Sequence, residues 1–262
     1  MDKTQRRISG TIVLGLGWLG LLFLVAPLSV VIPVSLTPER YLSFPSDGIS
    51  FQHYVKLVQD PRWSQSIVTS LIIALMTTIF ATLAGTLCAI GLWRLSSRLT
   101  QYLRLIIMAP LIVPPIVHAL AFYRLWIDLD WLDTLHGVVI AHTVICIPLV
   151  VITVSTSLSG FDRRLENAAR SLGAPPLLTL RRIILPNILP GVFSGAAFAF
   201  ITSWDEVVVV LFITSRQVST LPLVIWSSLT ERVDPAVAAV STVIIAVTLA
   251  VVLVRLTSLR KA

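Results

Sequence analysis

The sequence predicts an all-α membrane protein with six transmembrane helices. Three observations carry that prediction. Of 262 residues, 56% are hydrophobic and only 13% are charged, whereas soluble domains carry about 25% charged residues. Six windows, at 8–38, 63–93, 105–123, 134–161, 183–204 and 235–254, contain no Asp, Glu, Lys or Arg, and a bilayer span needs roughly 20 mostly apolar residues. The windows lack period-2 alternation and are too long for barrel strands, so each reads as a helix. The spans fall at about 11–36, 64–93, 105–127, 137–159, 187–213 and 236–256.

Each element has its own justification. The first span follows a basic start (Lys3, Arg6, Arg7). Its apolar run exceeds the roughly 7–15 residues of a signal peptide and has no clear cleavage site, so an uncleaved span is expected. After it, FQHYVKLVQDPRW at 51–63 has the apolar periodicity of a short interfacial helix. The second span holds Cys88 and the fourth Cys146, both expected to be small buried hydrophobes. The third contains Pro110, Pro114 and Pro115. They predict either a broken helix lining a pathway or a fixed kink. His118 and His142 have no clustered ligands; no metal site is expected, and hydrogen-bonded helix packing is the default. Gly191 and Gly195 in the fifth span permit close helix approach. Trp126, Trp131 and Trp226 read as an interfacial aromatic belt.

Charge sets the expected orientation. The N-tail, the loop near 94–104, the loop near 160–187 and the C-tail hold 14 basic and 3 acidic residues, against 6 and 8 in the other loops. The positive-inside rule then puts both termini in the cytoplasm. The net charge of +7 is accordingly an orientation signal and no nucleic-acid footprint. The chain divides into 1–63 (tail, first span and outer loop) and a membrane core at 64–262. No phosphate-binding, dinucleotide, zinc-protease or nucleophile-elbow motif is present, so ATP-driven work needs an ATPase on another chain.

The most informative stretch is 159–191, SGFDRRLENAARSLGAPPLLTLRRIILPNILPG. Ser159 and Asp162 have capping-box spacing. Leu165, Ala168, Ala169 and Leu172 share one face of a short helix. Gly173 suits a left-handed C-terminal residue, and Pro175 and Pro176 prevent continuation. An amphipathic helix of this kind docks into a partner's groove or merely connects two spans.

The segment resembles the EAA loop of ABC-importer permease subunits. It reads Asn167-Ala168-Ala169, three residues, Gly173, nine residues, then Ile183-Ile184-Leu185-Pro186. The family's spacing is kept, but Asn167 stands where the motif has Glu; Glu166 lies beside it, one helical step away. The resemblance implies the type I ABC-importer permease fold in a bacterial inner membrane. It makes 160–186 a coupling helix for two separate ATP-binding subunits, which carry the ATP and Mg; no cofactor is expected on this chain. It further implies a second permease, a heterodimer by expectation, and a periplasmic or lipid-anchored substrate-binding protein that meets the loops at 37–63 and 214–235.

Asp205 and Glu206 interrupt the fifth span within FAFITSWDEVVVVLFIT. An Asp at the centre of a lone spanning helix costs roughly 2.5–3.5 kcal/mol. Starting from Asn187, Asp205 is about 27 Å along at 1.5 Å per residue, in the outer half. The pair therefore marks either a polar translocation cavity or a solvated helix end. Residues 200–242 resemble the spermidine/putrescine branch of the family, through Ser203-Trp204-Asp205-Glu206, Thr220-Leu221-Pro222 and Asp234-Pro235. The resemblance implies a polyamine or related cation as substrate. Asp205, Glu206, Trp204 and Tyr123 are the candidate contacts, since acids and aromatics bind amines by charge and cation–π attraction. A stand-alone secondary transporter or channel is the alternative function, and an intramembrane enzyme a more distant one.

Overall fold

A computed structural model describes residues 3–46, 48–95 and 98–259. Of the charges that orient the chain, Asp2, Asp47, Arg260 and Lys261 lie outside the described residues. Among the described residues the regular structure is all helical: α1 Lys3–Val34, α2 Gln52–Gln59, α3 Pro61–Arg94, α4 Arg98–Ile112, α5 Pro115–Leu129, α6 Leu135–Ser159, α7 Arg163–Ser171, α8 Pro176–Thr179, α9 Leu185–Asp205, α10 Val208–Ile213, α11 Leu221–Ser227 and α12 Ala236–Leu259. Five helical stretches are long and apolar enough to span a membrane, and a bent pair supplies a sixth.

Two predicted spans differ in form. The third, placed at 105–127, is two helices, α4 and α5, bent by 104°. Pro114 and Pro115 lack the N–H groups a continuing helix would need. The Val113 amide still donates to Ala109, and the next helical bond is Val117 to Pro114. The fifth, placed at 187–213, is displaced toward the N-terminus: the helical run is Pro176–Asp205. A π-helical turn at Leu180–Ile184 joins α8 to α9, with Leu185 N–H donating to Leu180. The wider turn lets the chain pass Pro186, which has no amide hydrogen, without breaking.

By packing, the chain forms two compact units. One compact unit is Met1–Ser64 with Ile225–Ala262, and the other is Gln65–Val224. In the first, α12 lies against α1 and α2. The expected short helix after the first span is α2, which buries His53 and Leu57. Lys56 Nζ donates to Asp234 Oδ2 at 2.6 Å, and the same carboxylate caps α12 through Ala236 N–H. Burial pushes the Asp234 carboxyl up, but the Lys56 and Ala236 hydrogen bonds and the Lys56 charge together hold it below the usual carboxylate range.

In the second unit α6 is the pillar. It packs antiparallel to α9 along small residues four apart: Gly191, Gly195, Ala199 and Ser203, all buried. A Cβ on Gly191 would strike Ser157 Oγ, and one on Gly195 would lie 2.6 Å from Thr153 Oγ1 and 3.0 Å from Val150 Cα. Further along, Cys146 Sγ reaches the Ala199 carbonyl at 3.5 Å, and His142 Nδ1 meets Ser203 Oγ at 2.9 Å. Small residues allow this backbone approach where lipid supplies no hydrophobic drive. Trp126 is a correction to the aromatic-belt reading: it is buried, and its indole N–H donates to Gly137 O at 3.1 Å. Trp226, by contrast, is exposed.

Candidate functional site

The loop between α6 and α9 builds the first candidate surface. Its helix starts one turn later than a Ser159 cap would put it. Ser159 Oγ donates back to Thr156 O, and Asp162 is the residue that caps, accepting from Arg164 N–H at 2.9 Å. At the other end, Gly173 has φ +82°. Gly173 N–H donates to Arg170 O and Ala174 N–H to Ala169 O, both at 3.0 Å. This is a Schellman closure, and it explains the motif's spacing: the buried Ala169 stands four residues before the glycine that must turn left-handed.

The predicted apolar face then splits. Ala169 turns inward, whereas Leu165, Leu172 and Leu177 are exposed at 47%, 88% and 75%. Asn167 and Ala168 are exposed too. Ile183 and Leu185 are half-buried and Pro186 is exposed, while Ile184 between them is fully buried against the α6 core. Caps satisfy the ends of α7, and what faces outward is Leu165, Leu172 and Leu177 interspersed with Arg163, Arg164, Arg170, Arg181 and Arg182. Glu166 behaves differently from its neighbours. It is mostly buried and lies 3.5 Å from Arg94 at the end of α3.

The second candidate surface is the free face of α9. The buried ladder ends at Ser203, and Asp205, two positions on, is about 200° round the helix at 100° per residue. Asp205 is accordingly exposed, in one stripe with Asn187, Pro190, Ser194, Ala197 and Ile201. Trp204 is half-buried and stacks on Phe200, with ring centroids 6.1 Å apart. Glu206 does not continue the helix. It is extended, and its Oε1 accepts from Val209 N–H at 3.0 Å, capping α10. The two acids thus separate: Asp205 is left open and Glu206 is engaged by backbone. Tyr123 is exposed on α5. Among the described residues, no hydrogen bond or ring contact joins it to Trp204 or to either acid.

Beyond the break, α10 does not extend the span but packs against α5 and α6 through Val209, Val210 and Ile213. Asp133 holds the chain that follows. Its carboxylate accepts the backbone N–H groups of Ser215, Arg216, Gln217 and Val218 at 2.8–3.1 Å. Its own N–H donates to Ile213 O at 2.8 Å. Burial raises the Asp133 carboxyl, but the four amides outweigh it and hold the group below its ordinary value. Sequence reasoning could not find this clamp, because the partners are 82–85 residues away and offer only amides.

Apolar helices long enough to span a membrane, with a capped loop helix between α6 and α9, define a polytopic membrane protein. A family model described as the binding-protein-dependent transport system inner membrane component matches residues 81–261. The chain belongs to that family and is a multi-pass membrane protein of a transport complex. It is 34% identical to the spermidine/putrescine transport system permease protein PotC of Haemophilus influenzae, over 88% of this chain and 89% of that one. It is 31% identical to the putrescine transport system permease protein PotI of Escherichia coli K12, over 87% and 83%. Its fold matches a chain in the crystal structure of a bacterial ABC transporter involved in the import of alginate, at TM-score 0.76 and 16% identity, covering 99% of this chain and 98% of that one.

Proposed function

We propose that this chain is one permease subunit of an ATP-driven importer for polyamines, or for a closely related small cation. In this reading both termini are cytoplasmic and α7 seats in a cleft of a separate ATP-binding subunit. A second permease, a second ATP-binding subunit and an extracytoplasmic substrate-binding protein complete the machine. The observation that carries the docking step is the exposed apolar edge of α7 and α8: Leu165, Leu172 and Leu177. Such an edge on a capped helix suits a hydrophobic groove on a partner.

The substrate reading rests on Asp205. A carboxylate exposed to lipid costs several kcal/mol. The α9 stripe of Asn187, Ser194 and Asp205 is therefore better placed against a water-filled path shared with the second permease. Trp204 and Phe200 beside it supply the aromatic surface that favours amines, and spermidine and putrescine are the solutes named for the relatives. Tyr123 and Glu206 are secondary candidates, Glu206 being already committed to its cap.

Two measurements test this. Affinity purification of the tagged chain from membranes should retain an ATPase, and the paired substitutions Leu165→Asp and Leu172→Asp should release it. Uptake by the chain alone, without ATP, would replace the importer by a secondary transporter. In proteoliposomes carrying the full subunit set, Asp205→Asn should abolish putrescine and spermidine uptake while leaving assembly intact. Undiminished uptake by that variant would remove Asp205 from the path.

A further inference from the structure

α7 is held on a second side, by an element that is not its neighbour in sequence. The last two residues of α3, Trp93 and Arg94, meet three residues of the loop. The Phe161 ring packs edge-on against Trp93, with centroids 5.9 Å apart. The Arg163 guanidinium lies 4.8 Å from the Trp93 ring centre, within cation–π range. Glu166 Oε1 is 3.5 Å from Arg94 Nη2. Arg163 and Glu166 are three apart and so share one face of α7, whereas Leu165 and Leu172, seven apart, share another. Trp93 and Phe161 are themselves packed onto the core that holds α6 and α9. The latch is thus continuous with packed protein and is more than a surface ion pair, which alone contributes about 0–1 kcal/mol.

Asn167, where the family motif has Glu, is exposed. The acid sits one position earlier, on the face that meets α3 and away from the open leucine face. We propose that Arg94, Trp93 and Glu166 are positioning residues that make the end of α3 a second output of the coupling helix. A partner that moves α7 then drives α3 through this latch, as well as α9 through the continuous run from Pro176. The inference rests on the reading of α7 as the ATPase-docking helix. Spatial adjacency alone does not establish coupling; a state-dependent response that needs the latch does.

The test uses hydrogen–deuterium exchange on the assembled complex, nucleotide-free and trapped with ATP and vanadate, and so needs no assumption about the solute. In the wild type, trapping should change exchange both at 88–95 and at 176–190. In Glu166→Gln and Arg94→Gln the change at 88–95 should be lost and that at 176–190 kept. The charge swap Arg94→Glu with Glu166→Arg should restore the change at 88–95. A merely structural latch would shift exchange equally in both states and leave their difference intact. An unchanged difference in the single variants, no change at 88–95 in the wild type, or a swap that does not restore it would overturn the proposal. Failure of the wild-type chain to retain an ATPase would instead overturn the docking reading. If a single variant does not assemble, Trp93→Leu read in the same way decides, by losing or keeping the change at 88–95.

Discussion

The two ends of the Gln65–Val224 unit treat their exposed backbone in opposite ways. At the α7 end, local caps satisfy the amides: Asp162 at the start and the Gly173 closure at the finish. Among the side chains left exposed are Leu165, Leu172 and Leu177, beside Arg163, Arg164 and Arg170. At the Asp133 end, four successive amides that no local cap could reach are gathered by one carboxylate from a distant loop. The first end satisfies its backbone from within the loop; the second satisfies it from a carboxylate 82–85 residues away. In the proposed reading the exposed leucines of α7 are surface open to a partner, whereas a loop gathered by one distant carboxylate is tied to the element that carries it. Movement in this unit should therefore begin at α7 and be resisted around α10.

Substitutions can break that comparison. The largest effect belongs to the ladder that ties the two ends together. Gly195→Leu would press a side chain into Thr153 and Val150. Overpacking of this kind costs about 1–3 kcal/mol or more, seen as loss of a monodisperse product in detergent or a sharply lower melting temperature. Next is Asp133→Asn, whose amide nitrogen cannot accept. It would remove the acceptor for two of the four amides, and because residues 215–217 are exposed each lost bond costs only about 1 kcal/mol; limited proteolysis should then cut at 214–219 while α7 behaves as in the wild type.

The Asp133 clamp also predicts a pH response. A carboxyl held low in the folded state contributes stability that is full above the ordinary carboxylate range, near pH 4. That contribution is lost as pH falls through the lower folded value, so acid should loosen 214–219 first in a proteolysis series. The smallest effect on stability is expected at Leu172→Ser, within about 0.5 kcal/mol for so exposed a position. A large melting shift there would mean the leucine is part of the fold and no docking edge.

Reading the α7 helix from sequence worked because its determinants are local. Alanine and glycine four apart, followed by two prolines, encode a Schellman stop whatever the rest of the chain does. The capping residue was misplaced by one turn, since Ser159 and Asp162 are both competent caps and only the path out of α6 selects Asp162. The acid pair shows the limit more sharply. Sequence marked Asp205 and Glu206 as exceptional, but a helical continuation through Val207–Ile213 was the natural extension. After Asp205 the chain turns extended at Glu206, and α10 packs on α5 and α6 instead.

The amino-acid sequence by itself determined the apolar crossings, their helical state, the place of the proline interruption and the capped helix of the 160–186 loop. Each depends on composition or on neighbours within a few residues, where hydrophobicity and backbone chemistry act directly. Only the tertiary structure decided which acid stays open, which carboxylate clamps a loop 82–85 residues away, and that Glu166 turns toward Arg94. Those outcomes depend on which surfaces meet across the bundle, and pairing between distant residues is not written in the spacing of either partner.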